Sequence, residues 1–263
     1  MSPQTATTLD QPALLSIDGP VATITLNRPD AFNSINTPIA KCLEELAAQI
    51  TKDDSIRVVV IEGSGRAFCG GGDIQVFGAN MDNLAPVVSE LLHHLHHFIA
   101  AIRRMPKIVI SSVHGSAAGA GLSLAFIADM CIAANDAKFT PAYNKLGVSP
   151  DGGGTIGVTE AVGSRRALQI FLAEDSFTAQ QAYDWGLVVK LVPPDQLKQA
   201  TNELAQRLAK NSPDVIRTTK ALIHAATRTP IEQQLEAEAA GITHCMTTAA
   251  FRGAVEKFLG KKR

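Results

Sequence analysis

Cysteine, net charge and long apolar runs are all scarce in this 263-residue chain. Its four cysteines, Cys42, Cys69, Cys131 and Cys245, stand far apart without a CxxC pair. That spacing builds neither a zinc ribbon nor a disulfide framework, and it suits a reducing, cytoplasmic setting. Lys+Arg number 24 against Asp+Glu 25, and a net charge of -1 offers no bulk attraction to nucleic acid or anionic lipid. The most membrane-like stretch, Gly115 to Ala128, has 14 residues without a charge and ends at Asp129. A bilayer span needs about 20, so this stretch is read as a buried helix. The polar start, Met1 to Pro12, lacks the apolar segment of a secretory signal and reads as a frayed tail.

Several chemical signatures are missing as well. There is no GxxxxGK[ST], and Gly115-Ser116-Ala117-Ala118-Gly119-Ala120-Gly121 is not GxGxxG, so no nucleotide-phosphate loop is indicated. Gly121-Leu122-Ser123-Leu124-Ala125 misses the GxSxG hydrolase elbow by its last residue. His93-His94-Leu95-His96-His97 places His93 and His97 one helical turn apart, but no HExxH or acidic ligand lies in the run. It is read as a solvated or partly buried helix face, and no metal is expected.

What is present is a 46% hydrophobic chain, long enough to bury about 70–75% of its unfolded surface in one large core. Apolar runs at Ala13–Ile17 and Val21–Leu26, divided by Asp18-Gly19, predict a hairpin. Thr37-Pro38 predicts a capped helix start, with Ile39, Leu43, Leu46, Ala47 and Ile50 at helical spacing behind it. Strands are expected at 57–62, 107–113 and 130–134, a helix at 84–104, and a weaker strand within 187–192. This alternation favours a parallel α/β core over 1–195. Helices at about 195–210, 213–226, 230–243 and 247–259 then make 196–263 a helical appendage.

Three glycine-rich segments carry the chemistry. Arg66-Ala67-Phe68-Cys69-Gly70-Gly71-Gly72-Asp73-Ile74 follows one strand, and His114 to Gly121 follows the next. Glycines let a backbone approach a ligand, and a helix start offers unpaired N–H groups to negative charge. Two such loops at neighbouring strand ends can converge on one oxygen, although tight turns alone would explain the same glycines. In Pro150-Asp151-Gly152-Gly153-Gly154-Thr155 a lone carboxylate sits in a turn, placed to cap the next helix or to act as a general base with a raised pKa.

Together these segments resemble the crotonase (enoyl-CoA hydratase/isomerase) superfamily. Leu26-Asn27-Arg28-Pro29 with Phe32-Asn33 looks like its opening signature, 67–74 and 115–129 like its two oxyanion loops, and 150–155 like its catalytic turn. The likeness runs from about Leu14 to Leu259. It implies an α/β fold, a spiral core of ββα units with a C-terminal helical trimerisation region, assembled as a homotrimer or dimer of trimers. It also implies an acyl-CoA thioester substrate, with no cofactor beyond the coenzyme A that the substrate carries. Backbone N–H groups of Gly72 and Ala120 match the oxyanion hole, with Ala120 standing where many members have glycine. Ala31, Gly70, Asp73, Ile74 and Tyr143 match substrate- or CoA-binding positions, and the side chain of Asp73 is expected to fix its loop by capping. The basic residues Lys257, Lys261, Lys262 and Arg263 are read as a solvated terminus.

The departure lies in the acids. Hydratases of the family use two glutamates, and the matching positions here are Ser123 and Tyr143. Asp151 sits where Δ3,Δ2-enoyl-CoA isomerases carry their single carboxylate, and the run around it looks like that of 1,2-epoxyphenylacetyl-CoA isomerases. A dehalogenase branch also has Asp there, with an aromatic residue eight positions earlier, as Tyr143 is here. The resemblance therefore implies isomerisation by proton transfer, with hydration, thioester hydrolysis or dehalogenation as enzymic alternatives. A catalytically silent acyl-CoA- or RNA-binding protein is the non-enzymic one. Near-neutral charge lends RNA binding no support.

Overall fold

The computed structural model describes residues 11–260. Most of the polar start, and the basic residues Lys261, Lys262 and Arg263, lie outside the described residues.

The chain begins with β1 (Ala13–Asp18) and β2 (Val21–Leu26), an antiparallel hairpin turned by Gly19 at φ 54°. Helix α1 (Thr37–Lys52) follows, and its N-cap is Asn36 rather than Thr37. Pro38 is tolerated in the first turn, where no intrahelical N–H bond is required. Next come β3 (Val58–Gly63), the five-residue α2 (Ile74–Gly78), α3 (Leu84–Arg104) and β4 (Ile108–Val113). The uncharged segment after β4 is not all helix: β5 (Ser116–Ala118) precedes α4 (Ala120–Ile127). Then follow β6 (Met130–Ala134), β7 (Lys138–Thr140), α5 (Gly154–Leu172), β8 (Phe177–Thr178), α6 (Ala179–Asp184) and β9 (Lys190–Val192). Helices α7 (Leu197–Leu208), α8 (Pro213–Ala226), α9 (Ile231–Met246) and α10 (Ala249–Gly260) complete the described chain.

A six-stranded sheet has the order β1-β2-β3-β4-β6-β9, parallel except at the hairpin edge. Strand β3 is buried on both faces, which explains its unbroken Val58-Val59-Val60-Ile61 run. Val59 and Ile61 join one cluster with Leu43 of α1 and Leu95 of α3. Val58 and Val60 face the other way, against Leu197, Ala200 and Ala205 of α7. The period of two along a strand thus sends alternate residues into two cores, each such side chain contributing about 1.5–3 kcal/mol. Helix α7 therefore covers the sheet, although it falls in the segment read from sequence as the appendage.

A three-stranded sheet, β5-β7-β8, stands apart from the first and holds the loop that leads into α4. Helix α4 is buried on every side, all eight residues of it. By contrast, α9 and α10 contain no buried residue and expose Ile231, Leu235, Ile242, Met246, Phe251, Phe258 and Leu259. No helix among the described residues is long and apolar enough to cross a membrane.

Candidate active site

The two glycine loops leave the ends of β3 and β4, which are neighbouring parallel strands. They then run side by side. Phe68 N–H donates to His114 O (3.1 Å), Cys69 N–H to Ser116 O (3.1 Å), and Ala118 N–H to Cys69 O (2.9 Å). Buried Asn33, at φ 56°, braces the first loop through amide bonds to the carbonyls of Ser64 (2.9 Å), Ala67 (2.8 Å) and Phe68 (3.2 Å). Sequence reading had Asn33 only as part of a signature. Its clasp became visible once the loop folded back onto it.

Glycine is required where the loops touch. Gly71 has φ 96°, and a Cβ there would sit 2.7 Å from Ala118 O and 3.5 Å from Ala120 N. Gly119, at φ 50° and ψ -120°, turns the chain so that α4 begins at Ala120. Ala120 is not among the residues with positive φ, so alanine fits there as readily as glycine. Among the described residues no protein acceptor takes the N–H of Gly72 or of Ala120. Both residues line one cavity of about 370 Å³.

Opposite walls of that cavity are apolar, formed by Phe77 of α2 and by Leu91, Leu92 and Leu95 of α3. Sequence reading missed these wall residues, because a helix's periodicity shows which face is buried but not which part of that face meets a cavity. Gly70, Ile74, Tyr143 and Asp151 also line it. Ala31 and Asp73 do not. Ala31 ends a short turn, Pro29–Ala31, and Asp73 is the N-cap of α2. The Asp73 carboxylate accepts from Val76 N–H (3.4 Å) and pairs with Arg28 (2.9 Å), so its side chain holds the loop.

Asp151 does not cap α5. The N-cap there is Gly153, which makes no side-chain capping bond, and the Asp151 backbone carbonyl accepts from Gly154 N–H at 3.0 Å. Its side chain instead accepts the Tyr143 hydroxyl at Oδ1, 2.8 Å away. The Tyr143 oxygen in turn lies 2.7 Å from Ser123 Oγ in α4. Because the phenol has one proton and gives it to the carboxylate, Ser123 must be the donor to Tyr143. Burial pushes the Tyr143 phenol well above its ordinary range, and the nearby Asp151 charge adds to that. Residues 123, 143 and 151 thus form one hydrogen-bonded row, which spacing in sequence did not reveal. Gly152 and Gly154 press against Ser123, for a Cβ on Gly154 would fall 2.2 Å from Ser123 Oγ, whereas Gly153 packs against Ile127 and Ile99.

The histidine run lies elsewhere, on α3. His94 Nδ1 (2.5 Å) and His97 Nδ1 (2.7 Å) pair with the two oxygens of Glu44 on α1. The His93 ring packs edge-on against His97 with centroids 4.3 Å apart. Among the described residues no group of three or more His, Cys, Asp or Glu side chains is arranged to hold a metal.

Residues 16–263 match the family model described as enoyl-CoA hydratase/isomerase. The chain is 33% identical over 250 residues to the 1,2-epoxyphenylacetyl-CoA isomerase of Escherichia coli (strain K12), covering 95% of each. It is 35% identical over 243 residues to a probable enoyl-CoA hydratase of Rhodobacter capsulatus, covering 92% of each. A crystal structure of an enoyl-CoA hydratase from Polaromonas sp. JS666 superposes with a TM-score of 0.90 at 31% identity, covering 95% of this chain and 97% of that one. The fold, including its C-terminal helices, is therefore the one the sequence motifs implied.

Proposed function

The chain belongs to the enoyl-CoA hydratase/isomerase family, and from that premise we propose that it isomerises an unsaturated acyl-CoA by a 1,3-proton shift. One observation carries this reading: among the described residues, Asp151 is the only carboxylate lining a largely apolar cavity that also presents the N–H groups of Gly72 and Ala120. Ser123 and Tyr143 occupy the two positions where hydration would call for glutamates.

In this mechanism Asp151 removes a proton from C2 or C4 of the acyl chain. Negative charge moves onto the thioester oxygen, where the N–H groups of Gly72 and Ala120 stabilise it. Asp151 then returns the proton at the other end of the allylic system, so one acid–base group serves both steps. Losing one such oxyanion donor typically costs about 3–4 kcal/mol, comparable to the roughly 10²–10⁴-fold supplied by a general base. Hydration would need a further group to activate water, and the cavity lining has no second carboxylate. The Escherichia coli relative is named as a CoA-ester isomerase, which favours isomerisation over hydration.

For the substrate's coenzyme A, Gly70 and Ile74 lie at the cavity edge and remain the proposed contacts, with Ala31 on the supporting turn. The apolar faces of α9 and α10 support assembly into a homotrimer or a dimer of trimers in the cytoplasm. The test is a panel of 2-enoyl, 3-enoyl and aryl-acetyl CoA esters read by absorbance and mass. Isomer formation that Asp151→Asn abolishes in a folded protein is expected. Full turnover by that variant, or a mass gain of one water as the main product, would overturn the reading.

A further inference from the structure

The row Ser123–Tyr143–Asp151 points further than the presence of a base. Asp151 offers two oxygens, and the structure treats them unequally. Oδ1 accepts the Tyr143 hydroxyl at 2.8 Å, whereas no protein donor among the described residues meets Oδ2. The row also has a fixed direction. A carboxylate only accepts, the phenol's one proton is spent on it, and Ser123 therefore donates to the phenol oxygen. Ser123 is fully buried and sits in the first turns of α4, the helix that begins with the Ala120 N–H.

We propose that Tyr143 and Ser123 are positioning residues that bind Asp151 Oδ1, orient the carboxylate, and leave Oδ2 as the oxygen that moves the substrate proton. This rests on the general-base reading of Asp151 given above. Proton removal at one carbon and return at another requires the base to stay over the allylic plane between the two steps. A carboxylate anchored at one oxygen keeps its other oxygen in place, whereas a free one rotates about χ1 and χ2. Tyr143 suits the anchor because burial and the adjacent charge hold its proton on the phenol, so it donates without exchanging. Among the described residues Tyr143 and Asp151 are the only titratable side chains lining the cavity, so no other described lining group competes for this task. Ser123 ties the anchor to α4, so the base and the Ala120 N–H are referred to the same helix.

The test compares Tyr143→Phe, Ser123→Ala and their double variant on the 3-enoyl-CoA substrate. Tyr143→Phe is expected to lower kcat about 10- to 100-fold, as loss of a hydrogen bond to a charged group should, with KM changed less than about threefold. A hydrogen bond donated to a carboxylate favours its charged form, so losing it is expected to move the acid limb of kcat/KM to higher pH. Ser123→Ala is expected to lose about three- to tenfold. The double variant should be no worse than Tyr143→Phe within about twofold, since Ser123 acts through Tyr143. An unmoved acid limb in Tyr143→Phe, or additive losses in the double variant, would overturn the proposal. Should Tyr143→Phe not fold, the kcat-against-KM split of folded Ser123→Ala decides, and a wild-type kcat there would overturn the proposal. Asp151→Asn separates this from the underlying reading: if it keeps its activity, the base assignment falls. If it is inactive while Tyr143→Phe behaves as wild type, only the positioning role falls.

Discussion

Two aspartates flank the same short stretch of chain and meet opposite surroundings. Asp129 closes α4, and Asp151 precedes α5. The Asp129 carboxylate accepts at Oδ2 from buried Lys220 (2.7 Å) and from Val109 N–H (2.8 Å), and His224 Nε2 stands 3.1 Å from Oδ1. Burial pushes this carboxyl up, but His224, Lys220 and the Val109 N–H outweigh that and hold it below the ordinary range. Lys220 is spent in the same place, donating also to the carbonyls of Ile102 (3.0 Å) and Lys107 (2.9 Å). That cluster pins α8 to the core. Asp151 has a single side-chain donor, a phenol without formal charge, and it faces a cavity. A carboxylate surrounded by cations and N–H groups is a fastener, whereas one with an oxygen unmatched by any donor among the described residues, beside apolar walls, is the proposed base.

The contrast can be broken from either side. The largest effect is expected at Asp151, where Asn should lower isomerase kcat by about 10²–10⁴-fold while thermal unfolding stays within about 1 kcal/mol of wild type. At Asp129 the balance should invert. Asp129→Asn leaves the Lys220 ammonium buried without its counter-charge, at a cost of about 3–5 kcal/mol in denaturant unfolding, with kcat per folded molecule nearly unchanged. A wild-type Tm in Asp129→Asn would end the comparison.

A third test reaches the N–H groups proposed as the oxyanion hole. Ala120 is the first residue of α4, where proline is compatible with the helix but carries no N–H. Ala120→Pro is expected to lower kcat about 10²–10³-fold with the far-ultraviolet dichroism preserved. The two aspartates should also separate by pH. Since the folded-state pKa of Asp129 is depressed, its stabilisation is present above its unfolded value of 3.8 and is lost as the pH falls through the folded value. Acid titration of wild type should therefore show a loss of stability below pH 3.8 that Asp129→Asn lacks. The smallest effect is expected on the surface. Glu44→Gln, which weakens the clasp between α1 and α3, should cost no more than about 1 kcal/mol and leave kcat unaltered.

Legibility from sequence followed local pattern strength. The helix at 84–104 and the one at 213–226 emerged with the bounds they have in the structure, because their apolar spacing is long and their ends are marked. Three-residue β5 and β7 and two-residue β8 went unread, as did the five-residue α2, since nothing periodic fits in so few residues. The start of α1 shifted by one residue because Asn36 and Thr37 are both competent caps and Pro38 is accepted at either first-turn position. At the site, the glycines of both loops and the lone Asp151 were legible as chemistry. The bond between residues 123 and 143 was not, because it joins α4 to a loop that meets it only in the folded chain.

Local sequence was sufficient for the α/β class, the family and the two glycine loops, since each depends on residue identity at a given place along the chain. Which aspartate is fastened and which is free followed only from folding. Asp129 acquires Lys220 from 91 residues away, and the Asp151 side chain acquires, among the described residues, only the Tyr143 phenol. The reason is physical: a carboxylate's readiness to move a proton depends on the charges and donors around it, and those come from distant parts of the chain.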